Sequence, residues 1–199
     1  MIANLALRKP MTLAEFLAWE ERQPTRHEFD GVRAIARAGV TAGHAIIQVN
    51  LVATLGRRLR GKPCQFLGSI CKIEVADGHI RYPDGMVVCT PVERAATVVR
   101  EPVVVFEVLS PSTAAKDRIV KAREYQATRS IRRYVMLEQD SVGATVYARA
   151  GETWTHDILI ADSILALPEI GVDLPLAELY EGIPFDNEGS EAPDQDAPA

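Results

Sequence analysis

The sequence predicts one α/β domain in which a mixed sheet is flanked by helices. Three features carry this expectation. Residues 42–61 hold the longest 3.6-residue apolar period in the chain. Residues 64–109 hold a series of short strand-like runs. The last of these runs is followed by a helical pattern and then by another strand, "RRYVMLEQ". The 199 residues suffice for one good-sized domain, and no repeat or linker divides them. The domain is expected over residues 1–185, with 186–199 as a disordered acidic tail.

Taken in order, "TLAEFLAWEER" (Thr12–Arg22) reads as a short helix. Thr12 is its N-cap, and Glu15 three residues on completes a capping box. "HEFDGVRAIARAG" reads as a hairpin turning at Asp30-Gly31. In "AGHAIIQVNLVATLGRRLRG", Ile47, Leu51, Leu55 and Leu59 line one helix face with Val52 beside them, and Gly61 ends the helix. Strands follow at about Cys64–Phe66, Ile70–Val75, Ile80–Cys89 and Val103–Leu109. A helix is then expected from about Ala114 to Thr128. "ATVYAR" and "TWTHDILI" form a hairpin around Gly151, and "LAELYEGI" is a short terminal helix. The apolar segment "ILIADSILALPEIGVDLPL" exceeds what a small edge hairpin needs. It is a candidate subunit interface or ordinary core.

No apolar run approaches the roughly 20 residues of a membrane helix, and the N-terminus lacks the pattern of a signal peptide. Cys64, Cys71 and Cys89 form no CxxC pair and are odd in number. They read as reduced core thiols of a cytoplasmic protein rather than a disulfide or zinc framework. The net charge of −5 is concentrated in the tail, which carries Asp186, Glu188, Glu191, Asp194 and Asp196 and no base. Without those five acids the chain balances at 22 acidic and 22 basic residues. A strongly basic nucleic-acid-binding domain is therefore excluded, and any anion-binding surface must be local.

The polar residues inside strand-like runs are the informative ones. In "PVVVFEVLSPST" (Pro102–Thr113), Glu107 interrupts a run apolar on both faces, where an unpaired carboxylate is costly. Asp84 interrupts "IRYPDGMVVC" in the same way. Two carboxylates on neighbouring strands suit one hard divalent cation, since magnesium takes a few carboxylate oxygens and keeps its waters. The plainer readings are a turn at Asp84-Gly85 and a structural ion pair at Glu107. From Glu107 to Ser110 a strand climbs about 10 Å. From Ala114 to Lys121 a helix returns about 10 Å. A helix packed back along the sheet would therefore set Lys121 level with Glu107. The alternative for Lys121 is an i,i+4 pair with Asp117 on a solvated face.

"PD", then "EVLSPST", then "KDRIVKAREY" resembles the Uma-two family of endonucleases in the PD-(D/E)xK nuclease superfamily. The resemblance extends upstream through "HEFDGVRAIARAGVTAGHAIIQVNLVATLGRRL" and covers roughly Thr12 to Trp154. It implies a restriction-endonuclease-like fold and Mg²⁺-dependent hydrolysis of phosphodiester bonds, with Mn²⁺ as a substitute and DNA as the expected substrate. It also implies a homodimer. On matching positions Asp84, Glu107 and the backbone carbonyl of Val108 are the metal ligands. Lys121 and Glu28 join Asp84 and Glu107 as catalytic candidates, and His44 and Arg118 are candidate phosphate contacts. Arg57, Arg58, Arg60 and Arg123 are further basic candidates. Taken without the resemblance, Glu28 is equally an exposed strand residue, and His44 a surface or capping one. The superfamily places a lysine two residues after its second acid, where this chain has Leu109. Lys121 is the candidate substitute. The rival reading is an inactive nuclease-fold module that binds nucleic acid or a protein partner.

Overall fold

The strand expected over Ile80–Cys89 is broken at Pro83 and Asp84, and that break organises the molecule. Its first piece, β5 (Ile80–Arg81), belongs to one sheet, and its second, β6 (Gly85–Val88), to another. Proline donates no hydrogen bond to a ladder and favours such a boundary. The computed structural model of the chain describes residues 10–37, 39–110, 115 and 117–185. The acidic tail, 186–199, and residues 111–114 at the expected helix start lie outside them.

Helix α1 (Leu13–Glu20) begins with the predicted capping box: Glu15 N–H donates to Thr12 Oγ1 at 3.2 Å, and Thr12 N–H to Glu15 Oε2 at 2.8 Å. Strands β1 (His27–Phe29) and β2 (Ala34–Ala36) form the predicted hairpin. Gly31 takes φ +87° in its turn, and Asp30 Oδ1 accepts the N–H groups of Val32 and Arg33. Helix α2 (Ala42–Arg58) buries Ile47, Leu51 and Leu55, with Leu59 as its C-cap. Val52, expected beside them, faces solvent at 50% exposure because it lies off that stripe.

The first sheet runs β2-β1-β5-β4-β7, with β4 (Lys72–Glu74) parallel to β7 (Val98–Val99). The second runs β11-β10-β9-β8-β6-β3 and comprises β3 (Gln65–Gly68), β6, β8 (Pro102–Val108), β9 (Arg133–Leu137), β10 (Gly143–Ala150) and β11 (Thr153–Ile160). Here β8 and β9 are parallel, and the crossover between them carries a π-helical turn, Asp117–Lys121, running into α3 (Ala122–Ala127). The molecule is thus the expected mixed α/β fold, with its strands divided between sheets.

Strand β8 alternates between two cores. Val104, Phe106 and Val108 pack with α2, while Val105 and Leu109 pack with Ala122 and Tyr125 of α3. Glu107 belongs by this alternation to the α3 face. Gly85 is a strand residue, not the turn that Asp84-Gly85 suggests, and a Cβ there would collide with the Phe66 ring. The C-terminal apolar segment divides between two roles. Hairpin β12 (Ile164–Leu167) and β13 (Val172–Pro175) buries Leu165, Leu167, Val172 and Leu174 in the α2-side core. Ile158, Ile160 and Ile164 are 75%, 68% and 53% exposed. Among the described residues no helix is long and apolar enough to cross a membrane.

The reading of three reduced cysteines is corrected at two of them. Cys64 and Cys89 form a disulfide, and Cys71 is free. Antiparallel pairing of Gln65 with Val88 sets Cys64 and Cys89 opposite each other one step on, with Cα atoms 4.0 Å apart. No spacing rule reveals this, because the partners lie 25 residues apart on strands whose register only folding fixes. Reducing this bridge, or Cys89→Ser, is expected to lower stability by about 3 kcal/mol from the loop it closes. Denaturant unfolding with and without reductant measures it.

Candidate active site at the junction of the sheets

The break at Pro83 leaves Asp84 where the two sheets meet. Gly85 pairs with Phe106, so Asp84 stands one step further along the ladder, beside Glu107. The Val108 N–H donates to Asp84 Oδ2 at 2.7 Å, which ties the carboxylate to the residue after Glu107. Helix α2 supplies the other contacts. Gln48 Nε2 donates to Asp84 Oδ1 at 2.6 Å, and His44 Nε2 lies 3.2 Å from the same oxygen. His44 is buried, and the capping role belongs to Thr41, whose Oγ1 accepts the His44 N–H. Burial drives the Asp84 carboxyl upward, but His44, the Val108 amide and the Lys121 charge outweigh it and hold the pKa below the usual carboxylate value.

Glu107 is 3% exposed. Lys121 Nζ donates to its Oε1 at 2.8 Å, and the Tyr125 hydroxyl donates to the same oxygen at 2.7 Å. The helix therefore packs back along the sheet and sets Lys121 level with Glu107. Lys121 also lies 2.9 Å from Asp117 Oδ1 and 3.5 Å from Glu28 Oε1. The i,i+4 pair with Asp117 exists, but it is buried rather than solvated. Glu28 is a buried residue of β1, so the exposed-strand reading fails. Burial, reinforced by the charges of Asp84 and Asp117, overrides the attraction of Lys121 and pushes Glu107 up to about 8. Burial alone would lower the Lys121 pKa, but Glu107, Glu28 and Asp117 together raise it well above its ordinary value.

These groups line one cavity of about 250 Å³, including Glu28, Arg37, His44, Asp84, Glu107, Val108, Asp117 and Lys121. Arg118 is not brought to it: its guanidinium pairs with Glu138 at 2.6 Å on the surface. Arg58 pairs with Glu178 at 2.8 Å, and Arg57, Arg60 and Arg123 are exposed away from the cavity lining. Sequence reasoning missed Gln48, Arg37 and the buried role of Asp117. Gln48 lies one helical turn after His44, and Asp117 and Tyr125 each lie one turn from Lys121, so i,i+4 spacing was their available signal. Arg81 was missed as well. It is 1% exposed, hydrogen-bonds Glu124 of α3 through Nε and Nη2 at 2.6 and 2.5 Å, and lies 3.9 Å from Glu28. It thereby fastens α3 to the hairpin that carries Glu28.

This cluster of carboxylates around one lysine lies at the junction of two sheets and lines an open cavity in the α/β fold. Comparison with known proteins places it. The model of the Uma2 family, described as "Putative restriction endonuclease", matches residues 13–177. The chain belongs to this family, a nuclease family by that description. It is 32% identical over 174 residues to the uncharacterised protein slr1290 of Synechocystis sp., covering 86% of this chain and 92% of that one. A second Synechocystis protein, sll1609, is 26% identical over 152 residues, covering 74% and 86%. A crystal structure of "a putative nuclease belonging to DUF820" from Anabaena variabilis shares the fold. Its TM-score is 0.69 at 18% identity, over 86% of this chain and 98% of that one.

The elevated pKa of Glu107 gives a stability prediction. Its folded value of about 8 exceeds the ordinary 4.5, so its contribution is complete below 4.5 and is lost as the pH rises through about 8. Glu107→Gln, neutral throughout, is expected to flatten that decline, read from urea midpoints across the range. Lys121→Met removes the buried cation that Glu107, Asp117 and Glu28 share and is expected to cost about 3–5 kcal/mol at neutral pH.

Proposed function

We propose that the protein is a metal-dependent endonuclease that hydrolyses phosphodiester bonds in DNA. The observation that supports this most is the pairing of Asp84 and Glu107 across adjoining strands, joined through the Val108 amide, with Lys121 on Glu107. The donor chemistry fits a hard divalent cation. No three His, Cys, Asp or Glu side chains converge to hold an ion by themselves among the described residues. Two carboxylates and a backbone carbonyl, however, match magnesium, which retains water. Burial first, and then the charges of Asp84 and Asp117, raise the Glu107 pKa, and a cation bound beside it would favour the ionised form.

Asp84, Glu107 and the Val108 carbonyl would hold Mg²⁺, with Mn²⁺ as a substitute. A cation bound there supplies an acidified water and polarises the phosphate. Gln48 and His44 fix Asp84 Oδ1 so that the carboxylate does not rotate away. Lys121 stands in for the lysine that Leu109 replaces: it donates toward the developing negative charge and orients Glu107 through its hydrogen bond. Glu28 Oε1 lies 3.5 Å from the Lys121 ammonium and helps hold it. His44 lines the cavity and is the nearer phosphate contact of the two sequence candidates. A homodimer completes the reading, with exposed Ile158 and Ile160 on edge strand β11 as the surface it would cover.

One observation favours a second reading. Lys121 Nζ already sits among Glu107, Asp117 and Glu28, where it serves as an internal cation. A retired nuclease fold would keep this network for stability alone. Two measurements separate the readings. Mn²⁺ raises the melting temperature of an active protein by linkage, more strongly as the pH approaches about 8 and Glu107 releases its proton, and Glu107→Gln abolishes the rise. In a cleavage assay, Lys121→Met is expected to lose about 10²–10³-fold in rate. No Mn²⁺ effect and no cleavage by the parent would establish the retired fold.

A further inference from the structure

The hairpin β1–β2 carries a second arrangement that neither the metal site nor the core requires. His27 pairs with Ala36, and the Arg37 N–H donates to the Arg26 carbonyl at 3.3 Å. Arg26 and Arg37 therefore stand opposite each other one step along the same ladder. Like charges in that position disfavour the hairpin. Both guanidinium groups lie 5.4 Å from the centroid of one ring, Tyr82, which is 1% exposed. The ring offsets part of the repulsion. Among the described residues, Arg26 has no carboxylate within ion-pair distance.

Arg37 also holds donors in reserve. Its Nη1 donates to the Ser69 carbonyl at 3.2 Å, and its Nη2 stands 3.7 Å from Asp84 Oδ1, beyond a hydrogen bond. A guanidinium has five N–H donors, so among the described residues most of this fork is uncommitted. Lys121, by contrast, is enclosed by three carboxylates. Arg37 is thus the cation at the active-site cavity best able to take an incoming anion. Arg26 lines a second cavity of about 460 Å³ together with Glu20, Glu21, Tyr82 and Lys72, and Lys72 is paired there with Glu20 at 2.7 Å. Arg37 thus lines one cavity and Arg26 the other, and both rest on the Tyr82 ring.

We propose that Arg26 and Arg37, both resting on Tyr82, clamp successive phosphates of a nucleic-acid strand. Arg37 holds the phosphate that enters beside Asp84, and Arg26 holds its neighbour. This deepens the nuclease reading and rests on it for the identity of the strand. It also explains how a domain without net positive charge binds a polyanion: two arginines kept together, of which among the described residues only Arg37 stands near a carboxylate, at 3.7 Å from Asp84, make a local site. A role limited to covering the Tyr82 ring would affect stability but not anion binding.

The test is binding of labelled single-stranded and duplex DNA in EDTA, where metal-dependent cleavage is silent, over a range of salt. Each of Arg26→Met and Arg37→Met is expected to reduce the slope of log K against log salt by about 0.7–0.9, and the double variant by about twice that. Arg129→Met, an exposed arginine elsewhere, should leave the slope unchanged. Melting temperature checks that each variant folds, and Arg26→Gln, at an exposed position, keeps the test open if Arg37→Met does not. Inorganic pyrophosphate should raise the melting temperature of the parent but not of the double variant. Unchanged slopes in the variants of a DNA-binding parent overturn the clamp and leave the nuclease reading standing. Pyrophosphate stabilisation without DNA binding removes the nucleic-acid strand from the proposal and keeps the anion clamp. A parent that binds neither overturns both.

Discussion

The ion pair between Glu107 and Lys121 is the contact on which the surrounding architecture depends. A carboxylate in the middle of an apolar strand must be neutralised where water cannot reach it. Lys121 does this at 2.8 Å, and Tyr125 adds a second donor to the same oxygen. Those two residues are one helical turn apart, so a single face of the helix after β8 is committed to one carboxylate. The same helix is fastened from its other side by Glu124, which takes the guanidinium of Arg81. Neutralising Glu107 therefore fixes where the crossover helix lies, and with it the parallel pairing of β8 and β9.

Asp84 meets a different constraint and ends with the opposite electrostatics. It is buried like Glu107, but its neighbours donate to it: Gln48, His44 and a backbone amide. Its proton is consequently held weakly, whereas burial, with the charges of Asp84 and Asp117 added, makes Glu107 hold its proton more strongly than usual. Two carboxylates pushed in opposite directions within one cavity are what a site needs if one is to stay ionised and the other is to respond to a cation. The junction of the sheets makes this possible. It lets β1 bring Glu28 from one sheet and β8 bring Glu107 from the other, with the Pro83 break between them.

Much of this was legible in the chain because it is written in local spacing. The capping box at Thr12 and Glu15, the turn at Asp30-Gly31 and the Ile47–Leu51–Leu55 stripe each arise within a few residues. The level of Lys121 against Glu107 followed from the rise of a strand and of a helix. Local spacing failed where the partner lies far away. The Cys64–Cys89 bridge and the Arg81–Glu124 pair both join residues on separate segments. Arg118 shows the reverse error: its place in the motif suggested the site, but Glu138 on β9's exit draws it to the surface.

The sequence by itself determined the class of fold, the family and the residue types of the site. Periodicity and an acid in an apolar strand constrain the chain before it folds. The tertiary structure decided the direction in which the pKa of each of those acids moves, the division of the strands among three sheets, and which arginines face the cavity. These depend on register and burial, and register is set by which apolar faces find each other in three dimensions. The apolar flanks of Glu107 specify that it must be paired. The packing of α3 against β8 specifies that the partner is Lys121.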